Sequence, residues 1–363
     1  MTIRKVIPLL WKYLLVVATS CILAFVISRD GRAADGPVKN IGASSKYAVA
    51  GAYSVNAIDQ EWRDGERART VPVRILVPNT SAGVTEKLDS KQTTKFPVII
   101  FSHGLGGNRS GGKIWGEHWA SHGYIVVHIQ HPGSDESVWQ GNKGGEAVGS
   151  MKAAMTMSNM GLRIGDVHFV IDEIVRRSKL DDNEFRFADV SKIGMSGHSF
   201  GAQTTMAIAG QATPAGRGQS GFDNRITAAI AFSPNARIKV SLDKQFGDIR
   251  LPVFSITGTL DGSVLNDGTE AAHRMLPYQH MPVGDKYLVV YDGGVHMAFG
   301  GQNTAGRRSM AVRDVAIQQD VKASTLAFWN AYLKNDAGAL KWLTDARGGF
   351  RDTLASADRF DTK

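Results

Sequence analysis

Cysteine is nearly absent from this chain of 363 residues, and Cys21 is the sole example. It lies inside an apolar N-terminal stretch that has the pattern of a cleaved segment. The chain beyond that stretch therefore has no residue for a disulfide, a thiolate nucleophile or a cysteine-ligated metal site. If the protein uses covalent catalysis, serine is the expected nucleophile.

Long apolar runs are also lacking, except at the N-terminus. Two basic residues precede an apolar run over 13–28, and small residues follow just before position 34. This order predicts a signal peptide over 1–33 and a secreted or periplasmic protein. The alternative is an N-terminal membrane anchor, because 7–28 is nearly long enough to span a bilayer.

A strong charge imbalance is missing as well. The first 33 residues carry five basic residues and one acidic residue, so without them the net charge falls from +8 to about +4. This charge is too small to predict a nucleic-acid partner. No internal repeat or low-complexity linker divides the chain. We expect a linker over 34–45, one catalytic domain over 46–335 and a C-terminal extension over 336–363.

What the sequence does contain is an alternation of strand and helix patterns after a leading antiparallel pair. The pair is expected at 46–56 and 71–78. Strands are then predicted near 97–102, 124–130, 191–197, 226–233, 252–258 and 286–292, and helices near 113–122, 159–177, 200–210, 263–276 and 310–334. This alternation predicts an α/β fold with a mostly parallel sheet and helices on both faces. About 19 residues separate Phe232 from Leu251, which leaves no room there for a large cap domain.

The most informative motif is Gly-His-Ser-Phe-Gly at 197–201, which follows a predicted buried strand. A serine on a sharp strand-to-helix turn has strained backbone angles, and the flanking glycines let the chain pass closely. The turn exposes the hydroxyl. This pattern makes Ser199 the candidate nucleophile.

A serine hydroxyl needs a histidine to take its proton, and this turn uses the chain order serine, acid, histidine. Seven of the ten histidines lie at or before the motif, which leaves His273, His280 and His296. Only His296 follows an apolar strand pattern, at 286–291, and then a predicted Gly293-Gly294 turn. We therefore predict His296 as the base.

The acid is selected by its place in the predicted sheet. Asp261 lies just past the buried strand pattern of 251–258, and sites in open α/β sheets gather at the carboxyl ends of the strands. The alternatives are Asp267, Asp285 and Asp292. We predict Asp261 as the residue that orients the histidine.

An early glycine-rich loop follows the apolar strand pattern of 96–100. It reads Ser-His-Gly-Leu-Gly-Gly at 102–107. The negative oxygen of a tetrahedral intermediate needs fixed N–H donors, one from the residue after the nucleophile and one from a loop of this kind. The predicted donors are the backbone amides of Leu105 and Phe200.

The segment 133–160 is expected to border the site. It carries Trp139 and four methionines, which at near-helical spacing are more typical of core filling than of a binding surface. The histidines between 118 and 131 lack the glutamate spacing of a zinc-protease helix. The sequence therefore predicts no metal and no organic cofactor.

These motifs resemble the platelet-activating-factor acetylhydrolase-like branch of the α/β-hydrolases. The resemblance rests on the loop at 102–107, on Ala-Ser-His-Gly at 120–123, on His-Pro-Gly-Ser-Asp at 131–135 and on the motif at 197–201. The branch includes bacterial proteins labelled predicted dienelactone hydrolases, and it is similar to cutinase-type polyesterases. We take the resemblance to cover about 46–335.

Carried over position by position, the resemblance implies Ser199 as nucleophile, Asp261 as acid, His296 as base, and Leu105 and Phe200 as oxyanion donors. The sequence departs from the family pattern in two ways that limit the resemblance. True dienelactone hydrolases use a cysteine nucleophile. In addition, Ala202 and Gln203 replace the glycine-rich continuation that is common after the motif.

Together, the motifs and the resemblance predict an exported serine carboxylester hydrolase that works through an acyl-enzyme. The expected substrates are short-chain esters, including short-acyl or oxidised phospholipids, with contact to a lipid surface. A cutinase-like polyesterase or lipase is the first alternative. A serine peptidase or amidase, and a catalytically silent binding protein, are alternatives from other classes.

Overall fold

The computed structural model describes residues 45–79, 95–181, 183–213, 221–236, 241–301 and 312–363. The predicted signal peptide or anchor, Cys21 and nearly all of the predicted linker lie outside these residues. In the described part of the chain, no helix is both long and apolar enough to cross a membrane.

A nine-stranded sheet forms the centre of the structure. Its spatial order is β1-β2-β4-β3-β5-β6-β7-β8-β9. The strands are β1 Ser54–Asp64, β2 Arg69–Asn79, β3 Phe96–Ser102, β4 Ile125–Ile129, β5 Ala188–His198, β6 Ile226–Phe232, β7 Val253–Leu260, β8 Lys286–Val295 and β9 Arg359–Thr362. The six strands from β3 to β8 run parallel, whereas β1, β2 and β9 pair antiparallel at the two edges. The mostly parallel α/β fold predicted from the sequence is confirmed.

Eight helices lie among the strands in the described residues. They are α1 Lys113–Ser121, α2 Gly144–Ala154, α3 Met157–Arg177, α4 Phe200–Ile208, α5 Leu242–Phe246, α6 Leu276–His280, α7 Val312–Leu333 and α8 Ala337–Thr344. Between β6 and β7 the described residues contain only the five-residue helix α5, so this part of the chain carries no large cap.

Alternate strand residues enter cores on opposite faces of the sheet, as the period of two in a strand requires. Ile99 and Phe101 of β3 pack on one face with α1 and α7. Val98 and Ile100 pack on the other face with α3. Further along that second face, β6, β7 and β8 pack against α4, α5 and α6. Burial on both faces explains why the central strands read as continuous apolar runs.

The first strand begins later than the sequence indicated, at Ser54 rather than at 46. β1 is an edge strand and its outward side chains are polar, so its apolar alternation is weak. Instead of extending, the chain around Tyr47 forms a turn whose side chains enter the core beside α1 and α7.

Two other local predictions are wrong. The helix expected over 263–276 is replaced by a loop, a 3-10 turn at Ala271–Arg274 and the short α6. In that loop the Ser263 hydroxyl accepts the backbone N–H of Leu265 at 3.1 Å, and such side-chain bonds compete with helix formation. The predicted Gly293-Gly294 turn lies within β8, where Gly294 packs against Gly258 of β7.

Residues 336–363, predicted to form a C-terminal extension, contain α8 and β9. β9 pairs with β8, and its Phe360 stacks on Tyr287 with the ring centroids 6.2 Å apart. This segment therefore adds an edge strand to the same sheet.

Candidate active site

Ser199 lies at the carboxyl end of β5, on the turn into α4. Its backbone angles are φ 57° and ψ −113°, a positive φ that non-glycine residues rarely adopt. Its amide donates to the Phe232 carbonyl at 2.9 Å, which ties the turn to the end of β6. The side chain is partly exposed, whereas the neighbouring residues His198 and Phe200 are buried.

The turn needs glycine at position 201 because the backbone of another strand passes there. A side-chain carbon on Gly201 would lie 1.9 Å from the carbonyl oxygen of Ser102, at the end of β3. A carbon on Gly197 would lie 2.4 Å from the carbonyl oxygen of Gly201. These contacts show why the two glycines accompany the serine.

Asp261 and His296 meet at the same edge of the sheet, just past β7 and β8. Nδ1 of His296 lies 2.6 Å from Oδ1 of Asp261, and both side chains are buried. The Thr257 hydroxyl donates to Oδ2 of Asp261 at 2.7 Å. The imidazole therefore donates through Nδ1, which leaves Nε2 as the proton acceptor.

His198 contacts His296 through both its ring and a hydrogen bond. Its Nε2 donates to the carbonyl oxygen of His296 at 3.1 Å, and the two rings lie 4.6 Å apart. Burial holds the pKa of His198 well below its usual value, and the charge of His296 lowers it further. His198 is therefore neutral and serves as a fixed donor.

Ser199 and His296 line one cleft whose free volume, mouth included, is about 380 Å³. Leu105, Phe200 and Leu265 contribute apolar surface to it. The remaining lining residues described by the structure are Met155, Gln203, Asn235, Ser263, Val264, Asp267, Thr269 and Arg274. The enclosed part of the cleft is small, about 40 Å³, and the rest of the 380 Å³ is its mouth, which is open to solvent.

The glycine-rich loop after β3 packs directly against the serine turn. A carbon placed on Gly104 would lie 3.5 Å from Cβ of Ser199. Phe200 is the first residue of α4, so its amide belongs to the first turn of N–H groups that have no acceptor within the helix. The structure thus brings Leu105, Phe200 and Ser199 together around one cleft.

A buried arginine donates hydrogen bonds to the glycine-rich loop and its surroundings. Arg163 of α3 donates to the carbonyl oxygen of His103 at 2.8 Å and to the Ser134 hydroxyl at 2.8 Å. Its guanidinium carbon also lies 4.6 Å from the centre of the Phe200 ring. Burial lowers the pKa of Arg163 to about 9, so the group remains a cation at neutral pH.

Next to Arg163 the structure contains a second hydrogen-bonded chain of serine, histidine and aspartate. Ser102 Oγ lies 2.9 Å from His131 Nε2, and His131 Nδ1 lies 3.0 Å from Asp166 Oδ2. Burial lowers the pKa of His131 to about 4, assisted by the charge of Arg163. All three side chains are fully buried, so substrate cannot reach Ser102. This second Ser-His-Asp series therefore has a structural role.

The segment 133–160 borders the cleft as expected. The indole of Trp139 donates to the carbonyl oxygen of Gly106 at 2.7 Å, and Met155 lines the cleft. The expected core-filling role does not hold for Met157, which is 70% exposed.

The other histidines and acids considered from the sequence lie elsewhere, with one exception. His280 contacts Asp243 at 2.6 Å, and His273 accepts the backbone N–H of Glu270. Asp285 accepts from Tyr332, and Asp292 from Thr259. Asp267 is the exception, because it lines the cleft itself.

Sequence reasoning missed the buried charges Arg163, Asp166 and Arg274. A signal for the first two was present, because they fall in phase with the apolar stripe of α3. The buried residues of that helix are Arg163, Asp166, Val167, Val170, Ile171 and Ile174. Charged residues at two positions of an otherwise apolar stripe indicate a buried polar network. Arg274 follows an irregular loop and had no comparable signal.

No group of three or more histidine, cysteine, aspartate or glutamate side chains with metal-binding geometry occurs among the described residues.

Comparison with known proteins agrees with this architecture. Residues 60–147 match the family model described as platelet-activating factor acetylhydrolase, isoform II. The matched segment contains the glycine-rich loop and Leu105, but ends before Ser199. No curated protein matches the chain significantly. The match supports a hydrolase of the lipase or esterase type, whereas the finer likeness to dienelactone hydrolases and cutinases stays a prediction. The chain has the fold of the α/β-hydrolase superfamily, and over residues 60–147 it resembles the platelet-activating factor acetylhydrolases.

Proposed function

We propose that the protein is a serine carboxylester hydrolase that works through an acyl-enzyme. The observation that carries the proposal is the buried Asp261–His296 pair at 2.6 Å, in a cleft shared with the strained Ser199. Such a pair orients an imidazole with Nε2 free to accept the proton of a serine hydroxyl.

In the proposed reaction, Ser199 Oγ attacks the ester carbonyl carbon while His296 takes the hydroxyl proton. The resulting oxyanion receives hydrogen bonds from the amides of Leu105 and Phe200. The C–O bond to the alcohol breaks, and His296 returns the proton to the departing alcohol. Water then attacks the acyl-serine while His296 takes its proton; the bond between the acyl carbon and Ser199 Oγ breaks, His296 returns the proton to Oγ, and the carboxylic acid leaves.

We propose short-acyl esters as the substrates, including short-acyl or oxidised phospholipids. Support comes from the small enclosed part of the cleft, about 40 Å³, and from the apolar side chains of Leu105, Phe200 and Leu265 on its walls. A long acyl chain would have to leave the cleft and would gain no further burial in it. Export of the enzyme stays a prediction from residues 1–33.

The test is hydrolysis of a 4-nitrophenyl ester series from acetate to palmitate by the full chain. We expect kcat/KM to be highest for the shortest esters and to fall steadily with chain length. A fluorophosphonate probe followed by peptide mass spectrometry should modify Ser199. Ser191→Ala is the matched control, because Ser191 lies on the same strand, β5, but is exposed and outside the cleft; it should retain activity and labelling.

Three other outcomes would redirect the assignment. Faster turnover of palmitate and of an aliphatic polyester film would favour the polyesterase or lipase alternative. Faster cleavage of anilides than of matched esters would favour an amidase. Absence of both labelling and hydrolysis would contradict the proposal and favour a binding protein.

The buried Arg163 provides a further prediction about the oxyanion loop. Arg163→Met removes the donor to the His103 carbonyl and leaves that oxygen unpaired inside the protein. We expect kcat for a short ester to fall by about 100-fold, comparable with the loss of one oxyanion donor, and KM to change less. Stopped-flow or steady-state kinetics at saturating ester measures this change.

The matched control is Arg176→Met in the same helix. Arg176 faces solvent and pairs with Glu173 at 2.8 Å, an exposed ion pair that contributes little stability. Its replacement should leave kcat unchanged. If Arg163→Met also kept the native kcat while remaining folded, the loop would not depend on this guanidinium.

A further inference from the structure

Arg274 is a buried arginine that joins the loops carrying the proposed acid and base. It ends the 3-10 turn at Ala271–Arg274 and is 4% exposed. Nη1 donates to the Ser233 carbonyl at 3.0 Å, and Nε donates to the Asp261 carbonyl at 3.1 Å. Those carbonyls follow β6 and β7, so one guanidinium connects two neighbouring strand ends.

The same guanidinium faces the Asp261–His296 pair. Its Nε lies 3.4 Å from Asp261 Oδ1, and its Nη2 lies 3.3 Å from His296 Nδ1. Nδ1 already donates its hydrogen to Asp261, so it has no lone pair for Arg274 to bond. The approach of Arg274 to His296 is therefore that of a cation beside the imidazole ring.

We propose that Arg274 is a positioning residue whose positive charge keeps His296 unprotonated, and hence able to act as a base, at lower pH than the Asp261 pair alone would allow. This inference rests on the proposed function. It assigns to Arg274 a role that neither the chain order nor the family match indicates.

The charges around the imidazole determine the direction in which Arg274 shifts the protonation of His296. Imidazolium is favoured by the carboxylate of Asp261 and opposed by a cation at a similar distance. Arg274 acts in two ways: it repels the positive charge on His296 and it offsets part of the negative charge of Asp261. Because the groups are buried, solvent screens these interactions only weakly. Both effects move protonation of His296 to lower pH.

Arg274 itself remains charged. Burial lowers the pKa of Arg274, while the charges of Asp261 and Asp267 oppose that effect. An arginine starts from so high a pKa that the guanidinium stays protonated throughout the pH range of an esterase assay.

Two more titratable groups face this pair in the described residues. His198 packs on the His296 ring, but its burial keeps it neutral, so it adds no charge. Asp267 lines the same cleft and contributes a negative charge that acts against Arg274. Arg274 and Asp267 are therefore expected to shift the protonation of His296 in opposite directions.

The first measurement is the pH dependence of kcat/KM for a short ester, using the full chain. In Arg274→Gln the acid limb should move to higher pH by about one unit. Arg274→Lys retains the positive charge and should keep the acid limb of the pH profile close to its native position. It nevertheless loses the paired hydrogen bonds to the Ser233 and Asp261 carbonyls. Asp267→Asn should move the limb to lower pH. A purely structural role would lower kcat at every pH without moving the limb.

The second measurement does not require turnover. The protonation midpoint of the His296 imidazole can be followed by NMR on histidine-labelled protein, with His296→Gln identifying the signal. The midpoint should rise in Arg274→Gln and remain near the native value in Arg274→Lys. If the native enzyme hydrolyses no ester, the proposed function fails, yet this shift still tests the role of Arg274.

An unchanged or lowered midpoint in Arg274→Gln would overturn the inference, and so would an equal rise in Arg274→Lys. If Arg274→Gln does not fold, Arg274→Met keeps the apolar stem without the charge and should give the same upward shift. Circular dichroism and thermal melting establish which variants are folded before they are compared.

Discussion

Replacement of Ser199 by alanine should reduce kcat/KM for a short ester by at least about 10⁴-fold. In the proposed mechanism the serine oxygen forms the acyl bond, and without it only the proposed oxyanion donors and substrate binding remain. His296→Gln should cause a loss of similar size. The double variant should be no slower than either single variant, because the two residues act as one unit. Steady-state hydrolysis with active-site titration measures all three.

Asp261→Asn gives a graded comparison in the same assay. It removes the negative charge beside Nδ1 of His296 but leaves an atom able to accept the hydrogen bond. We expect a loss smaller than that of the serine variant, because the nucleophile and the imidazole are still present and only the charge and the orientation that Asp261 provides are lost. If Ser199→Ala retained native activity, the proposed mechanism would be wrong.

Ser102 provides the decisive contrast with Ser199. Both serines lie near a histidine that contacts an aspartate, but Ser102 is fully buried and Ser199 is partly exposed. Ser102→Ala should therefore leave fluorophosphonate labelling of Ser199 intact in the folded protein. Labelling at Ser102 would contradict the assignment of the second hydrogen-bonded chain as structural.

The second large effect is expected on stability rather than on rate. Gly201→Ala would place a carbon 1.9 Å from the Ser102 carbonyl oxygen. That oxygen belongs to the backbone at the end of β3, so it cannot rotate away as a side chain could. We expect the free energy of unfolding to fall by about 3 kcal/mol or more, the upper range for overpacking. Urea denaturation measures it, and loss of soluble protein would be the extreme form of the same result.

Gly161→Ala is the matched control for that experiment. Gly161 lies within α3, and a carbon placed there meets nothing within 4 Å. The same substitution should therefore stabilise the protein by about 0.5–1 kcal/mol through helix propensity. Equal effects at positions 161 and 201 would show that the close approach at the serine turn does not limit the fold.

Much of the fold follows from local patterns in the sequence. The apolar runs of β3, β5 and β7 could be recognised because strands buried on both faces have no polar side. Ser199, Asp261 and His296 could be proposed together because each follows such a strand, and the carboxyl ends of parallel strands share one edge of the sheet. The positions of the three residues in the structure agree with that chain order, and the Ser199, Asp261 and His296 variants test their catalytic roles.

Other features depended on contacts between distant segments. The start of β1 was misplaced because an edge strand has a polar face. The loop before Arg274 did not become a helix, because the Ser263 hydroxyl bonds to backbone N–H groups within it. β9 gains its stability by pairing with β8, a partner that lies about 70 residues earlier in the chain.

The sequence by itself determined the strand and helix alternation, the lack of cysteine chemistry beyond the N-terminus and the choice of Ser199 as candidate nucleophile. Tertiary structure alone decided what the buried charges contact beside the site. Arg163 and Arg274 approach the glycine-rich loop after β3 and the Asp261–His296 pair from separate elements. Such contacts depend on distance and burial in three dimensions, and no periodicity along the chain encodes the distance between two elements.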